Sequence, residues 1–168
     1  MVRVFHLLDR ARVFNAVLES HGDAAAGRRR RCGGGLGVVP GPSGSGKTTV
    51  LRQLFGGATG KVATAVPDWN NTHVVSAAFK KNFGAGDACA RLDACALAEE
   101  ERAMRFSELS ACARARAQVA WLLADHAVLD EFTSLAPRSL AWEVARGVSE
   151  YVRNNGLKHV VVASVHEN

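Results

Sequence analysis

Residues Gly41-Pro42-Ser43-Gly44-Ser45-Gly46-Lys47-Thr48 satisfy the pattern Gly-x-x-x-x-Gly-Lys-Ser/Thr at every position. A chain with this run must place a close-wrapped loop between a buried strand and a helix, because backbone N–H groups can surround phosphate oxygens only where side chains do not hold them away. Gly41, Gly44 and Gly46 permit the approach. Lys47 supplies a point charge for the β- and γ-phosphates of a nucleoside triphosphate. The Thr48 hydroxyl suits one position on a Mg²⁺ that otherwise keeps water and phosphate ligands.

The flanking residues agree with that placement. Leu36-Gly37-Val38-Val39-Pro40 is a short apolar run entering the loop, and Pro40 closes it because proline cannot donate to a ladder. From Lys47 to Phe55 the apolar residues Val50, Leu51, Leu54 and Phe55 fall on one helical face, so the positive end of the helix dipole points at the loop. A Gly/Ser linker that merely contains a lysine has no reason to be bracketed by strand and helix periodicity.

At 168 residues and 48% hydrophobic, the chain has material for one buried core. No apolar stretch is long enough to cross a bilayer, and Met1-Val2-Arg3-Val4-Phe5-His6-Leu7-Leu8 lacks the longer apolar region and cleavage site of a secretory signal, so a cytoplasmic protein is expected. Cys32, Cys89, Cys95 and Cys112 have no paired zinc-type spacing and read as reduced thiols. Much of the net charge of +5 sits in Arg28-Arg29-Arg30-Arg31, between Gly27 and Gly33-Gly34-Gly35. That run reads as a solvated loop, and without interleaved aromatics a nucleic-acid role is the weaker reading. The domain reading is therefore an N-terminal segment, 1–35, followed by a nucleotide domain, 36–168.

Further along, 61–66 reads as a second strand and 74–79 as another extended piece. Residues 87–97 and 99–106 read as helical, and 110–124 as a strong Ala- and Leu-rich helix with Ser110 as its cap. Ala127-Val128-Leu129-Asp130-Glu131 has the form of a buried parallel strand delivering a carboxylate to a metal: Asp130 for Mg²⁺, Glu131 for polarising water. A helix over 139–154 and the stop Asn155-Gly156 precede a β-branched strand, His159-Val160-Val161-Val162-Ala163-Ser164, with His166 just beyond it. Trp121 and Trp142 are expected to pack on their helices. Trp69, beside Pro67 and Asn70, is expected to be exposed, and Phe5 and Phe14 read as core residues, adenine stacking by one of them being only what family resemblance would imply.

Taken in order, the loop, the Leu109-Ser110 helix start, Asp130-Glu131-Phe132-Thr133-Ser134 and Ala163-Ser164-Val165-His166-Glu167 resemble the ABC-type ATPases. The wording is most similar to ATPase modules found with GNAT acetyltransferases, including phage-encoded ones, rather than to membrane transporters. The resemblance covers about Leu36 to His166. It implies an α/β P-loop NTPase fold, a mainly parallel sheet with helices on both faces, and the nucleotide at the carboxyl ends of the strands. It further implies that Gly41, Pro42, Ser43, Gly44, Ser45, Gly46, Lys47, Thr48 and Thr49 bind the nucleotide, that Thr48 and Asp130 hold Mg²⁺, that Glu131 is the catalytic base and that His166 is the switch histidine. An acetyltransferase or other protein partner, and a homodimer, belong to the same implication.

The sequence departs from that family at definite places. Ala111, Cys112 and Ala113 stand where the signature motif continues with glycine, Pro137 stands where Asp is usual, and the glutamine loop has only Asn82 as a stand-in, Gln53 and Gln118 lying elsewhere. The chain ends at Asn168, before the strands that ordinarily follow the switch histidine, so the fold is expected to be short at that end. The leading expectation is MgATP binding with hydrolysis to ADP and phosphate. A nucleotide-gated binding module with little turnover, and a P-loop kinase acting on a small acceptor, stay open beside it.

Overall fold

The computed structural model describes residues 2–4, 35–55 and 72–164. Strand β1 (Val2–Val4) pairs in parallel with β2 (Leu36–Pro40), β2 with β4 (Val160–Ser164) and β4 with β3 (Val128–Phe132), giving an open four-stranded sheet in the order β1-β2-β4-β3. The helices are α1 (Lys47–Phe55), α2 (Val75–Phe83), α3 (Ala85–Ala94), α4 (Glu99–Arg102), α5 (Ala111–Leu122) and α6 (Arg138–Asn154), with a 3₁₀ turn at Phe106–Glu108. The chain is thus mixed α/β with a small parallel sheet.

Strand alternation divides the core. On one face of the sheet, Val39, Val128, Val161 and Ala163 bury Leu51 of α1. The alternate residues Leu36, Leu129, Val160 and Val162 join the main cluster with α2, α3, α5 and α6. Because β4 is covered on both faces and paired on both edges, all five of its residues are buried, as its unbroken apolar run requires.

The main core combines Leu and Val side chains with small residues and an aromatic group around Phe79. Ala113, Ala117 and Ala120 of α5 are buried, and Phe79 is fully enclosed, with Trp121 edge-on at 5.1 Å and Phe83 at 5.6 Å. Ser110 caps α5, its hydroxyl accepting from Ala113 N–H at 3.1 Å. At the other end of α5, Arg91 donates to the carbonyls of Ala120 and Leu123, placing a cation where the helix dipole is negative. Asp87 ties this arginine to α6: it accepts from Arg91 Nε at 2.7 Å and from the Tyr151 hydroxyl at 2.6 Å.

Three sequence expectations change. Residues 74–79 are not extended: Val75, Phe79 and Phe83 recur every fourth residue and form the inward face of α2, a period that outweighs the β-branched pair at its start. The expected helix over 99–106 stops after one turn at Arg102, whose side chain folds back to the Leu97 carbonyl, and resumes only as the 3₁₀ turn. Trp142 does not pack, being 61% exposed on the outer side of α6, whereas Trp121 does. The readings for Phe5, Phe14, Arg28 to Arg31, Cys32, 61–66, Trp69 and His166, with the side chains of Leu54 and Phe55, lie outside the described residues.

Candidate functional site

Parallel pairing brings the carboxyl ends of three strands level. Pro40 lies opposite Ser164, and Phe132 opposite Ser164 from the other side. Gly41 extends this alignment by donating its N–H to the Ser164 carbonyl at 3.1 Å. The loop that follows β2 therefore emerges beside the end of the acid-bearing strand β3, with only β4 between them.

The segment 41–47 is wrapped around the Lys47 side chain, which is 8% exposed. Its ammonium donates to the Gly41 carbonyl at 2.6 Å and the Pro42 carbonyl at 2.7 Å. An ammonium has three N–H donors, so one is left for an anion. The loop turns through a Ser45 N–H to Pro42 carbonyl bond of 3.2 Å. Gly44 (φ 79°) and Gly46 (φ 88°) take left-handed conformations that an L side chain would strain. The first helical bond of α1 runs from Val50 N–H to Gly46 O, so the amides of Lys47, Thr48 and Thr49 have no intrahelical acceptor and sit at the positive end of the helix. The Ser45 hydroxyl is buried and has no hydrogen-bond partner.

The acids arrive on a strand with an extra residue. Between Leu129, opposite Val162, and Phe132, opposite Ser164, β3 takes three steps while β4 takes two. This bulge sets Asp130 and Glu131 together across from Ala163, so both are delivered at the same strand end instead of alternating across the sheet. Glu131 (φ 54°) and Thr133 (φ 64°) adopt left-handed backbone that is uncommon for residues with side chains. The Asp130 carboxylate holds the Glu131 N–H at 2.9 Å, and the Thr133 hydroxyl donates to the Phe132 carbonyl at 2.6 Å. Strain of this kind, of order 1–3 kcal/mol per residue, persists where the surroundings fix it and is concentrated at functional sites.

The two halves meet on one cavity of about 390 Å³. Thr48 and Arg52 of α1, one turn apart, form one wall. Asp130, Glu131 and the 133–136 turn form a second, while Cys112, Gln118 and the apolar face of α5 form a third. Thr48 and Asp130 offer a hydroxyl and a carboxylate, the hard oxygen donors that suit Mg²⁺. Among the described residues no group of three His, Cys, Asp or Glu could hold a metal by itself, so such a cation would draw its remaining ligands from phosphate and water.

Of the residues marked in the sequence, Gly41 to Thr49 are brought into one loop and helix start, and Thr48, Asp130 and Glu131 face one cavity. Thr49 is exposed on the outer side of α1. Asn82 is exposed on α2 and is not on this cavity, while Gln118, set aside in the sequence, is on it. Arg52, Cys112 and Gln118 also line the cavity, though the sequence did not mark them for it. Their signal was spacing: Cys112, Ala115, Val119 and Leu122 recur at three and four residues along one face of α5, and Arg52 follows Thr48 by one turn. Cys112 lies at the second position of α5, just beyond the Ser110 cap.

Asp87 and Cys95 are among the titrating groups near the core that are perturbed. Burial alone would raise the Asp87 carboxyl, but hydrogen bonds from Tyr151 and Arg91 hold it below the usual carboxylate range. Burial pushes the Cys95 thiol up to about 12 despite Arg116 and Arg91 nearby. Both belong to the scaffold behind the cavity. No helix among the described residues is long and apolar enough to cross a membrane. The sequence matches no protein-family model, and no curated protein is significantly similar to it.

Proposed function

We propose that this chain is a P-loop ATP-binding protein of the ABC-ATPase type, which binds MgATP and cleaves its γ-phosphate with water to give ADP and phosphate. The observation that carries the reading is that the loop closed around Lys47 and the bulged Asp130-Glu131 pair stand at neighbouring strand ends, with Thr48, Asp130 and Glu131 on one cavity.

In this reading the amides at the start of α1 and the remaining Lys47 N–H hold the phosphates, in a loop already bent by Gly44 and Gly46. Thr48 and Asp130 would hold Mg²⁺, which would supply positive charge against that developing on the phosphates. Glu131, exposed to solvent at the cavity wall, accepts a proton from the water it orients toward the γ-phosphorus. The buried, unpartnered Ser45 hydroxyl is one more donor within the loop.

Calorimetric titration tests the proposal. Wild-type chain should bind MgATP in the micromolar range, and Lys47→Ala should abolish the heat; equal binding by the two proteins would refute the site. Single-turnover assay with protein in excess separates hydrolysis from a nucleotide-gated module, since the hydrolase converts bound ATP to ADP and phosphate and the module returns it intact.

A further inference from the structure

Most of the cavity lining takes no part in the reaction just proposed, and its volume of about 390 Å³ lies within the range that holds small organic ligands. We propose that it is the seat of a second substrate, a small hydroxylated organic acid whose alcohol competes with water for the γ-phosphoryl group. This rests on the MgATP reading of the loop and adds the class of acceptor.

Three features of the wall select that class. Asp130 and Glu131 supply the carboxylates that would accept an alcohol proton. Val119, Leu122, Leu129 and Val144 add an apolar lining suited to a carbon body. Arg52 stands one turn beyond Thr48 on the same wall. It is exposed, makes no ion pair among the described residues, and can pair a carboxylate bidentately. Arg116, by contrast, is held in the wall, donating to the Ala96 carbonyl and pairing with Glu101 at 2.6 Å, with only its buried Nε left without a partner.

The helix sets the length of the acceptor. Thr48 and Arg52 are four residues apart on α1, about 6 Å along its axis at 1.5 Å per residue. An alcohol near the Thr48–Asp130 end and a carboxylate at Arg52 must therefore be separated by a chain of several carbons. In the transfer the acceptor oxygen forms a bond to the γ-phosphorus as the bond from that phosphorus to the β-bridging oxygen breaks. The alcohol proton passes to the Glu131 carboxylate and then to solvent, leaving a phosphate monoester and ADP.

The experiment uses the full chain with MgATP and three probes at millimolar concentration: 4-hydroxybutyrate, 3-(hydroxymethyl)benzoate and glycolate. Ligand-observed NMR reads binding and phosphorus NMR reads products. The two longer probes should bind saturably, at least about tenfold more tightly than glycolate, and give a phosphate monoester in step with ADP. Arg52→Ala, a surface change, should weaken both by about tenfold through KM rather than kcat. Ala115→Phe, which fills the cavity, should abolish their binding in a chain whose circular dichroism remains that of wild type. MgATP binding with no binding of the longer probes, with glycolate bound as well as they are, with inorganic phosphate as sole product, or with binding indifferent to Arg52→Ala, overturns the acceptor proposal alone. Absence of MgATP binding would overturn the nucleotide reading and this one with it.

Discussion

Gly147 makes a sharp test of the scaffold because two effects of known size oppose each other there. It lies within α6, where exchanging glycine for alanine ordinarily stabilises a helix by about 1 kcal/mol. A Cβ at this position would stand 2.4 Å from the Ala94 carbonyl oxygen and 3.0 Å from its carbon and Cα. Those atoms are backbone, at the end of α3, and cannot swing aside; ordinary contact begins at 3.4 Å, so the two helices must part by about 1 Å. Overpacking of a close-fitted core costs about 1–3 kcal/mol, and rigid backbone puts this site at the upper end. Subtracting the propensity gain leaves Gly147→Ala about 2 kcal/mol less stable, or about 4–8 °C lower in Tm for a chain of this size. The matched control is Gly86→Ala in α3, where the new Cβ meets nothing within 4 Å and the change should stabilise by about 0.5–1 kcal/mol. Urea denaturation followed by circular dichroism measures both, with the slope unchanged in each. Equal or greater stability in Gly147→Ala would show that α3 and α6 do not touch as described.

Ser110→Ala removes the acceptor of the Ala113 N–H and should cost about 1 kcal/mol in the same assay, with Ser110→Asp retaining most of the stability. Asp87 is held below its ordinary range, so its contribution is complete above the unfolded value of about 4 and disappears as pH falls through the folded one. Urea midpoints should therefore decline on acidification below about pH 4, and Asp87→Asn should flatten that limb. Cys95 runs the other way: its contribution is complete below about 9 and is lost as pH rises toward about 12, so Cys95→Ala should weaken the alkaline decline. Asp130→Asn should reduce affinity for MgATP by about tenfold while leaving metal-free ATP binding nearly unchanged, as measured by titration with and without EDTA.

How much of this was legible depended on whether the information is local. The loop, its strand and its helix were readable because glycine positions and apolar spacing act over a few residues, and Ser110 as a cap because the capping bond spans three. The α2 helix was missed when β-branched Val74 and Val75 were weighed above the Val75, Phe79, Phe83 period. The exposure of Trp142 could have been read from phase, since Ala141, Val144, Val148 and Val152 form the buried stripe of α6 and residue 142 falls outside it. The bulge at Asp130-Glu131 and the cavity could not be read that way. One depends on counting residues against β4, and the other on α1 and α5 meeting beside β3, which follows from strand order.

The account stands on the loop around Lys47 receiving a polyanion, and backbone amide NMR observes that event directly. On titration with MgATP, the amides of Gly44, Gly46, Lys47 and Thr48 should shift together and saturably, with Asp130 and Glu131 following, and Lys47→Ala should remove the response. Saturable binding that leaves residues 44–48 unmoved would contradict it.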